Sequence, residues 1–283
     1  MLGHKLVQLL SPELEVVTTL HSSAPDLPEI YGKARTIDGV DALAADAVAD
    51  ALARVHPDVV VNAIGIVKQR AIAQDAVQSI SVNSLFPHRL AQLCADAGAR
   101  LIHFSTDCVF SGGRGRYSEH DIPDPVDLYG RSKLLGEVAS PGALTIRTSI
   151  IGREIEHRTG LLEWFLGQAG GRVQGYAKVI WNGVTTNFLA RTVGSLVKAD
   201  SDLSGVVHLS GPAISKYQLL VWLNDAFGTR TTIERAALPV SDRSLDSERF
   251  WALTGFARPS WPAMLEELVA DSSIYKEAAN ARR

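Results

Sequence analysis

Short β-branched runs alternate with longer helical stretches through the first half of this chain, and that rhythm limits the fold more than any other feature. Residues 15–20 (EVVTTL), 58–66 (DVVVNAIGI), 100–104 (RLIHF) and 144–151 (LTIRTSII) read as strands. Continuous apolar runs of this kind suit strands covered on both faces, as in a parallel sheet. Helical patterns fill residues 41–56, 79–97 and 127–139 between them. Strand, helix, strand, helix is the order of a doubly wound α/β fold. The glycine at 98 fits the end of a helix just ahead of the third run. Leu2, Leu6, Val7, Leu9 and Leu10 form one helix face, so the sequence opens inside a helix, with no strand ahead of Gly3. A doubly wound sheet leads with a central strand and a glycine-rich turn. The expectation is therefore a Rossmann-like sheet, N-terminally truncated.

After residue 151 the rhythm breaks. Residues 152–187 hold Trp164, Trp181 and several glycines in an irregular setting; a helix returns at 186–198, a strand at 205–209, and helical patterns from Gly211 onward. Ser260 followed by Trp261 and Pro262 reads as a capped helix start with proline in its first turn. The expected division is a dinucleotide-binding domain over 1–151, with 186–210 returning to it, and a smaller mixed substrate lobe from 152–185 and 211–283. The final residues 280–283 read as a frayed tail. A chain of 283 residues is long enough to bury a large core without staples. Its 28 basic and 31 acidic residues leave a net charge of −3, which argues against binding nucleic acid through bulk positive charge. No apolar run approaches the ~20 residues of a bilayer span. Cys94 and Cys108 make no Cys-x-x-Cys pair, so the expected compartment is reducing and cytoplasmic. The eight histidines show no metal-ligand spacing, and no metal is expected.

The strongest chemical constellation is Tyr129-x-x-x-Lys133. Residues four apart share a helix face, and an ammonium near a phenol favours the phenolate, lowering its pKa. By itself the pair also describes a solvated lysine beside a half-buried aromatic. Context sharpens it: the third strand ends in Ser105, Thr106 and Asp107, at the carboxyl edge where α/β sheets bind ligands. Asn62, Ala63 and Gly65 end the second clear strand with small residues, which let a flat ligand approach the backbone but also suit ordinary packing. Trp164, Tyr176 and Trp181 suit either a base pocket or the core; Arg147, Arg153 and Arg243 suit either a diphosphate grip or the surface. Cys108 has no evident base, so no nucleophilic role is expected. Gly112, Gly113 and Gly115 mark a loop that suits a lid.

The run from Ile102 through Ser105, Thr106 and Asp107 to Gly112, followed by Asp127, Tyr129, Lys133 and Glu137, resembles the extended short-chain dehydrogenase/reductases. Within them it is most similar to the dTDP-4-dehydrorhamnose reductase branch. Arg147-Thr148-Ser149, Ser81-Val82-Asn83 and Arg243-Ser244-Leu245-Asp246 fit the same pattern, and the likeness spans essentially the whole chain. The resemblance implies NADPH-dependent reduction of a nucleotide-linked 4-keto-6-deoxy sugar in polysaccharide precursor synthesis. It makes Thr106 the active-site hydroxyl, Tyr129 the acid, and Lys133 the residue that tunes the tyrosine and touches the nicotinamide ribose. Met1, Leu2 and Gly3 match the end of the family's Gly-x-x-Gly-x-x-Gly turn, with Gly3 as its last glycine. Asp38 falls near the adenine, and Asn62, Ala63 and Gly65 along the cofactor. Substrate contacts are implied for Thr106, Arg147, Trp164 and Arg243.

His21, Ser22 and Ser23 follow the first strand without the acidic residue that would hold a ribose 2′-hydroxyl, which favours NADPH, with NADH as the alternative. The missing strand and glycines suggest that Met1 is an internal methionine of a longer chain. The implied partners are a nucleotide sugar and, as the one protein partner, a second copy in a homodimer. Two alternatives stand beside this reading. One is a sugar-nucleotide epimerase or dehydratase with bound NAD, against which Cys108 counts because a dehydratase would carry a second acidic residue there. The other is a non-catalytic regulatory subunit with a reductase-like fold, suggested by the incomplete phosphate cradle.

Overall fold

A computed structural model describes residues 1–23, 27–156, 158–199 and 201–275. The chain opens with α1 (Leu2–Leu10), β1 (Val17–Thr19), α2 (Pro28–Tyr31), β2 (Arg35–Ile37) and α3 (Ala45–Val55). Then come β3 (Val59–Asn62), α4 (Ala76–Ile80), a π-helical turn (Ser81–Leu85), α5 (Phe86–Asp96) and β4 (Arg100–Thr106). Helix α6 (Leu128–Leu135) leads to β5 (Ala143–Thr148) and β6 (Ile150–Ile151). The remainder carries α7 (Leu161–Leu166), β7 (Arg172–Tyr176), β8 (Val179–Trp181), β9 (Val184–Thr185), α8 (Thr186–Lys198) and β10 (Gly205–His208). It ends with β11 (Ile214–Ser215), α9 (Lys216–Phe227), β12 (Thr232–Ala236), β13 (Ser241–Asp242), α10 (Glu248–Thr254) and α11 (Trp261–Ala270). The tail expected at 280–283 lies outside the described residues.

The main sheet runs β10-β5-β4-β3, every pair parallel. Its two central strands are buried along almost their whole length. Alternate residues feed different cores: Ile102, Phe104, Leu144 and Ile146 enter one apolar cluster, Leu101 and Ala143 another. A strand whose successive side chains point to opposite faces needs apolar residues throughout when both faces are covered. That is the doubly wound α/β arrangement the sequence predicts. Within the described residues β3 pairs only with β4, while β1 and β2 form a parallel pair of their own.

The larger cluster joins Leu2 and Leu6 of α1 to Leu189 and Val193 of α8, and continues to Leu219, Phe250 and Trp261. Burying Leu189, Val193 and Leu196 contributes about 1.5–3 kcal/mol each. That outweighs the ~1 kcal/mol cost of Gly194 inside α8. The glycine has a packing reason, since a Cβ there would sit 2.7 Å from Leu10 Cδ2.

The end of α5 is built as the glycine at 98 predicts. Gly98 takes φ +71° and donates to the Ala95 carbonyl at 3.1 Å, and Ala99 donates to the Cys94 carbonyl at 2.8 Å. This pair of bonds satisfies terminal carbonyls and turns the chain into β4.

Other boundaries differ from expectation. The helix predicted over 79–97 breaks into α4, a π-helical turn and α5, with Pro87 in the first turn of α5. The strand predicted over 144–151 ends at Thr148; β6 then leaves the main sheet and pairs with β9. The helical pattern read from Gly211 onward omits β12, whose residues are mostly exposed and which pairs only with β7. No described helix is long and apolar enough to cross a membrane.

Candidate functional site

A cavity of about 600 Å³ opens where β3 and β4 end. Ligands of open α/β sheets bind at this carboxyl edge. Its lining includes Met1, Leu2 and Gly3 at the start of α1, Asn62, Ala63 and Gly65 after β3, Thr106 at the end of β4, and Tyr129 and Lys133 on α6. The residues that sequence reasoning selects for one reacting centre therefore share one cavity.

Two backbone contacts explain how α6 is held there. Asp127 caps the helix, accepting from Gly130 N at 2.8 Å. Gly130 lies so close to the turn after β4 that a Cβ would come within 2.2 Å of the Cys108 carbonyl oxygen. At the far end, a Cβ on Gly136 would meet the Asn83 carbonyl oxygen at 1.9 Å. Between these contacts only a narrow range of helix positions is open, and Tyr129 and Lys133, one turn apart, face the cavity.

The loop after β3 is stapled by two buried asparagines. Asn62 Oδ1 accepts from Ile64 N at 3.0 Å, and its amide nitrogen bonds His103 Nδ1 at 3.1 Å. Asn83 accepts from Ile66 N at 2.9 Å and donates to the Ile66 carbonyl at 3.0 Å and to Ser132 Oγ at 3.2 Å. One side chain in the π-helical turn thus ties this loop to α6. Single-turn π segments recur at functional sites because they displace one residue from the helical ladder. The sequence signal for Asn83 was its place in the resemblance; its structural duty was not readable there.

Lys133 is 5% exposed, and burial lowers its pKa from the ordinary lysine value to about 8, with Glu137 opposing the shift. Its ammonium makes no hydrogen bond or ion pair to a described residue. The bare backbone of Gly65 leaves space beside it, since a Cβ there would lie 3.9 Å from Lys133 Nζ and 3.3 Å from Asn83 Oδ1. The half-buried Tyr129 departs from the sequence expectation. Burial raises its phenol above the ordinary tyrosine value, the Cys108 thiol and the Asp107 and Asp127 carboxylates push the same way, and only the Thr106 hydroxyl favours the phenolate. Lys133 does not set this phenol; desolvation outweighs it, and the tyrosine stays protonated at neutral pH.

Thr106 Oγ1 donates to Asp107 Oδ1 at 3.1 Å and accepts from Cys108 N at 3.2 Å, so its hydroxyl is oriented by the turn it caps. Burial raises the Asp107 carboxyl, opposed by Lys216, the Thr106 hydroxyl and Arg243. The Cys108 thiol is pushed up to about 12 by burial and by Asp107, so it stays protonated.

Several predicted residues sit elsewhere. Arg147 is buried and does not line the cavity: Nε donates to Glu137 Oε1 at 2.8 Å and Nη2 to Oε2 at 2.7 Å, while Nη1 reaches His208 Nε2 at 3.2 Å. Its guanidinium is committed to a bidentate pair inside the sheet. Arg153 is likewise paired with Glu163 at 2.6 Å. Trp164 is 41% exposed on α7 and, like Tyr176, lies outside the lining, whereas Trp181 is part of it. Asp38, just past β2, is exposed and outside the lining. Arg243 also lies outside it, with Nε donating to the Phe110 carbonyl at 2.9 Å.

The lid expected at 112–115 is instead packed on the 241–244 segment. Asp242 N donates to the Gly112 carbonyl at 2.8 Å, Arg116 N donates to Ser244 Oγ at 2.9 Å, and a Cβ on Gly115 would meet Asp242 Oδ2 at 2.2 Å. Lys216 is among the lining residues that the sequence did not single out. Among the described residues, no group of three or more His, Cys, Asp or Glu could hold a metal ion.

Residues 1–274 match the family model described as the RmlD substrate binding domain. The probable low-salt glycan biosynthesis reductase Agl14 of Haloferax volcanii is 33% identical over 159 residues, 53% of this chain and 50% of that protein. The chain thus spans about half the length of that curated relative. Methionine adenosyltransferase 2 subunit beta of Danio rerio is 30% identical over 196 residues, 64% of this chain and 59% of that one. Among solved structures, that of a hypothetical dTDP-4-dehydrorhamnose reductase from Sulfolobus tokodaii superposes with a TM-score of 0.73 at 25% identity, covering 88% of this chain and 89% of that one.

Proposed function

The chain belongs to the RmlD substrate binding domain family, and from that premise we propose that it reduces a keto group of a nucleotide-linked sugar with a nicotinamide cofactor. The finer reading is NADPH as cofactor and a 4-keto-6-deoxy sugar as substrate, in the making of polysaccharide precursors. The observation that carries it is the gathering of Thr106, Tyr129 and Lys133 on one cavity with the phenol held protonated.

A bound nicotinamide cofactor would supply the hydride. In this reading Gly3, Asn62, Ala63 and Gly65 line its path, and the open space beside Gly65 leaves the Lys133 ammonium free to donate to a ribose hydroxyl. Tyr129 Oη gives its proton to the carbonyl oxygen as negative charge develops there. Thr106, whose hydroxyl donates to Asp107 in this structure, turns its one proton to the same oxygen when substrate is bound. Burial keeps the phenol protonated at neutral pH, so the proton that the reductive direction needs is in place. Positioned acid catalysis of this kind contributes about 10²–10⁴-fold.

The test is NADPH consumption by the purified protein across a panel of dTDP- and UDP-linked 4-keto-6-deoxy sugars. Turnover on any of them supports the reading, and none across the panel overturns it. One finding favours a second reading, a regulatory subunit: the likeness to methionine adenosyltransferase 2 subunit beta. Capture of a partner enzyme, with no turnover on the panel, would favour it.

A further inference from the structure

Lys216 lines the same cavity as Thr106 and Tyr129 and is the first residue of α9, directly after Ser215, which caps that helix by accepting from Gln218 N at 3.1 Å. Strand β11 ends at Ser215 and pairs with β8, with Ile214 opposite Trp181. Lysine and tryptophan are therefore carried on one short sheet, and the ammonium stands 4.0 Å from the centre of the Trp181 ring. The ring is fixed. Its Nε1 donates to Ser149 Oγ at 2.7 Å, Trp261 packs against it at 5.6 Å, and a Cβ on Gly183 would lie 2.2 Å from Trp181 Cζ2.

Beyond this ring, the Lys216 ammonium has no hydrogen bond or ion pair to any described residue. The opposite charge that acts on it is Asp107, and the Asp107 carboxylate is engaged by the Thr106 hydroxyl. Arg243 bears on the same two residues, Asp107 and Cys108, from the far side of β8, since it follows β13, which pairs with the other edge of that strand. Burial lowers the Lys216 pKa to about 8, so it remains largely charged at neutral pH. A half-buried ammonium whose near contact is an aromatic ring, with Asp107 acting on it without a hydrogen bond, has room in its shell for an anion.

We propose that Lys216 binds an anionic oxygen of the substrate at the sugar end of the cavity, a phosphate of the nucleotide diphosphate or a carboxylate on the sugar, with Trp181 as the platform that aims it. This rests on the nucleotide-sugar reading but not on turnover. The residue's place beside Thr106, Asp107 and Cys108 puts the anion next to the proposed reacting centre. An ammonium on a fixed platform selects substrates by charge as well as shape, and a charge-assisted hydrogen bond there accounts for roughly tenfold or more in affinity.

The test is calorimetric binding of dTDP, UDP, UDP-glucuronate, uridine and NADPH to the wild-type protein and to Lys216→Ala, Lys216→Met and Lys216→Arg. The expected result is that the alanine and methionine variants lose about tenfold or more in affinity for the diphosphates. Uridine and NADPH should bind as before, and arginine should restore most of the loss. Equal losses for UDP and UDP-glucuronate identify the phosphate as the anion; a loss confined to UDP-glucuronate identifies a carboxylate. Either supports the proposal. Unchanged diphosphate and glucuronate binding in the variants overturns it, as does equal weakening of uridine and NADPH, which a merely structural lysine would produce. A wild-type protein that binds none of the anions overturns it too. The panel of keto sugars fails or succeeds separately: active protein with unaltered variants sinks this inference alone, and inactive protein with weakened anion binding sinks only the reductase reading.

Discussion

Two walls of one cavity are built by different means. The wall carrying Thr106, Tyr129 and Lys133 is made of one strand, the turn after it and one helix, locked where Gly130 and Gly136 touch neighbouring backbone. The wall carrying Trp181 and Lys216 is made where strands of two or three residues meet from segments far apart in the chain, β8, β11 and β13. The first wall holds its groups by backbone contact and leaves little room for variation. The second holds them by side-chain packing of one tryptophan, which is buried in the same apolar cluster as Ile102 and Phe104 of the first wall's strand. Under the proposed function, chemistry falls on the wall held by backbone contact and substrate choice on the wall held by side-chain packing.

The largest effect that would break the comparison comes from Tyr129→Phe. Removing the hydroxyl should lower turnover of the accepted keto sugar by about 10²–10⁴-fold, with NADPH affinity unchanged within a factor of about two. Turnover close to wild type in a steady-state assay would remove the first wall from the chemistry.

Next in size are Gly130→Ala and Gly136→Ala. At Gly130, inside α6, alanine is the better helix former, so propensity alone predicts a gain there. The Cβ contacts of 2.2 and 1.9 Å with backbone oxygens predict the reverse, a loss of about 1–3 kcal/mol or more, seen as a lower denaturant midpoint. A neutral result at either site would show that α6 is not pinned by these contacts. Trimming Trp181 to alanine should also lower the denaturant midpoint, a loss of about 3–5 kcal/mol, because its ring is buried in the larger apolar cluster.

Alkaline pH sharpens the comparison, because each wall holds one lysine lowered to about 8. The unfolded chain keeps these lysines protonated to about 10.5, so between those values it binds more protons than the folded state, and stability rises with pH through that window. The destabilisation from burying each charge is fully present below about pH 8. Denaturant melts of Lys133→Met and Lys216→Met across pH 7 to 10 should each show a flatter slope than wild type. An unaltered slope in both would mean neither ammonium is desolvated.

The smallest effect belongs to Trp164→Ala. Exposed and outside the cavity lining, Trp164 should leave KM within about twofold and stability within roughly 0.5 kcal/mol. A large rise in KM would bring the Trp164 side chain into the site.

The doubly wound core and the first wall were legible in the order of residues alone. Parallel strands covered on both faces must be apolar at every position, as β4 and β5 are, and a helix must carry Tyr129 and Lys133 on one face whatever surrounds it. These are local rules of period and spacing. The glycine at 98 announced the turn into β4 for the same reason, since only a residue free to take positive φ closes the helix there cheaply.

Which polar groups met depended on the packed fold. Arg147 looked like a ligand residue until Glu137 took its guanidinium, and the glycines at 112–115 looked like a lid until Asp242 and Arg243 packed against them. Tyr129 looked like a phenol tuned by lysine, but its pKa followed burial, which no spacing records. Lys216 gave no signal at all, because the strand that places it has two residues and its meaning depends on Trp181 from another segment. Desolvation and pairing are sums over neighbours in space, and a chain read in order carries no such sums.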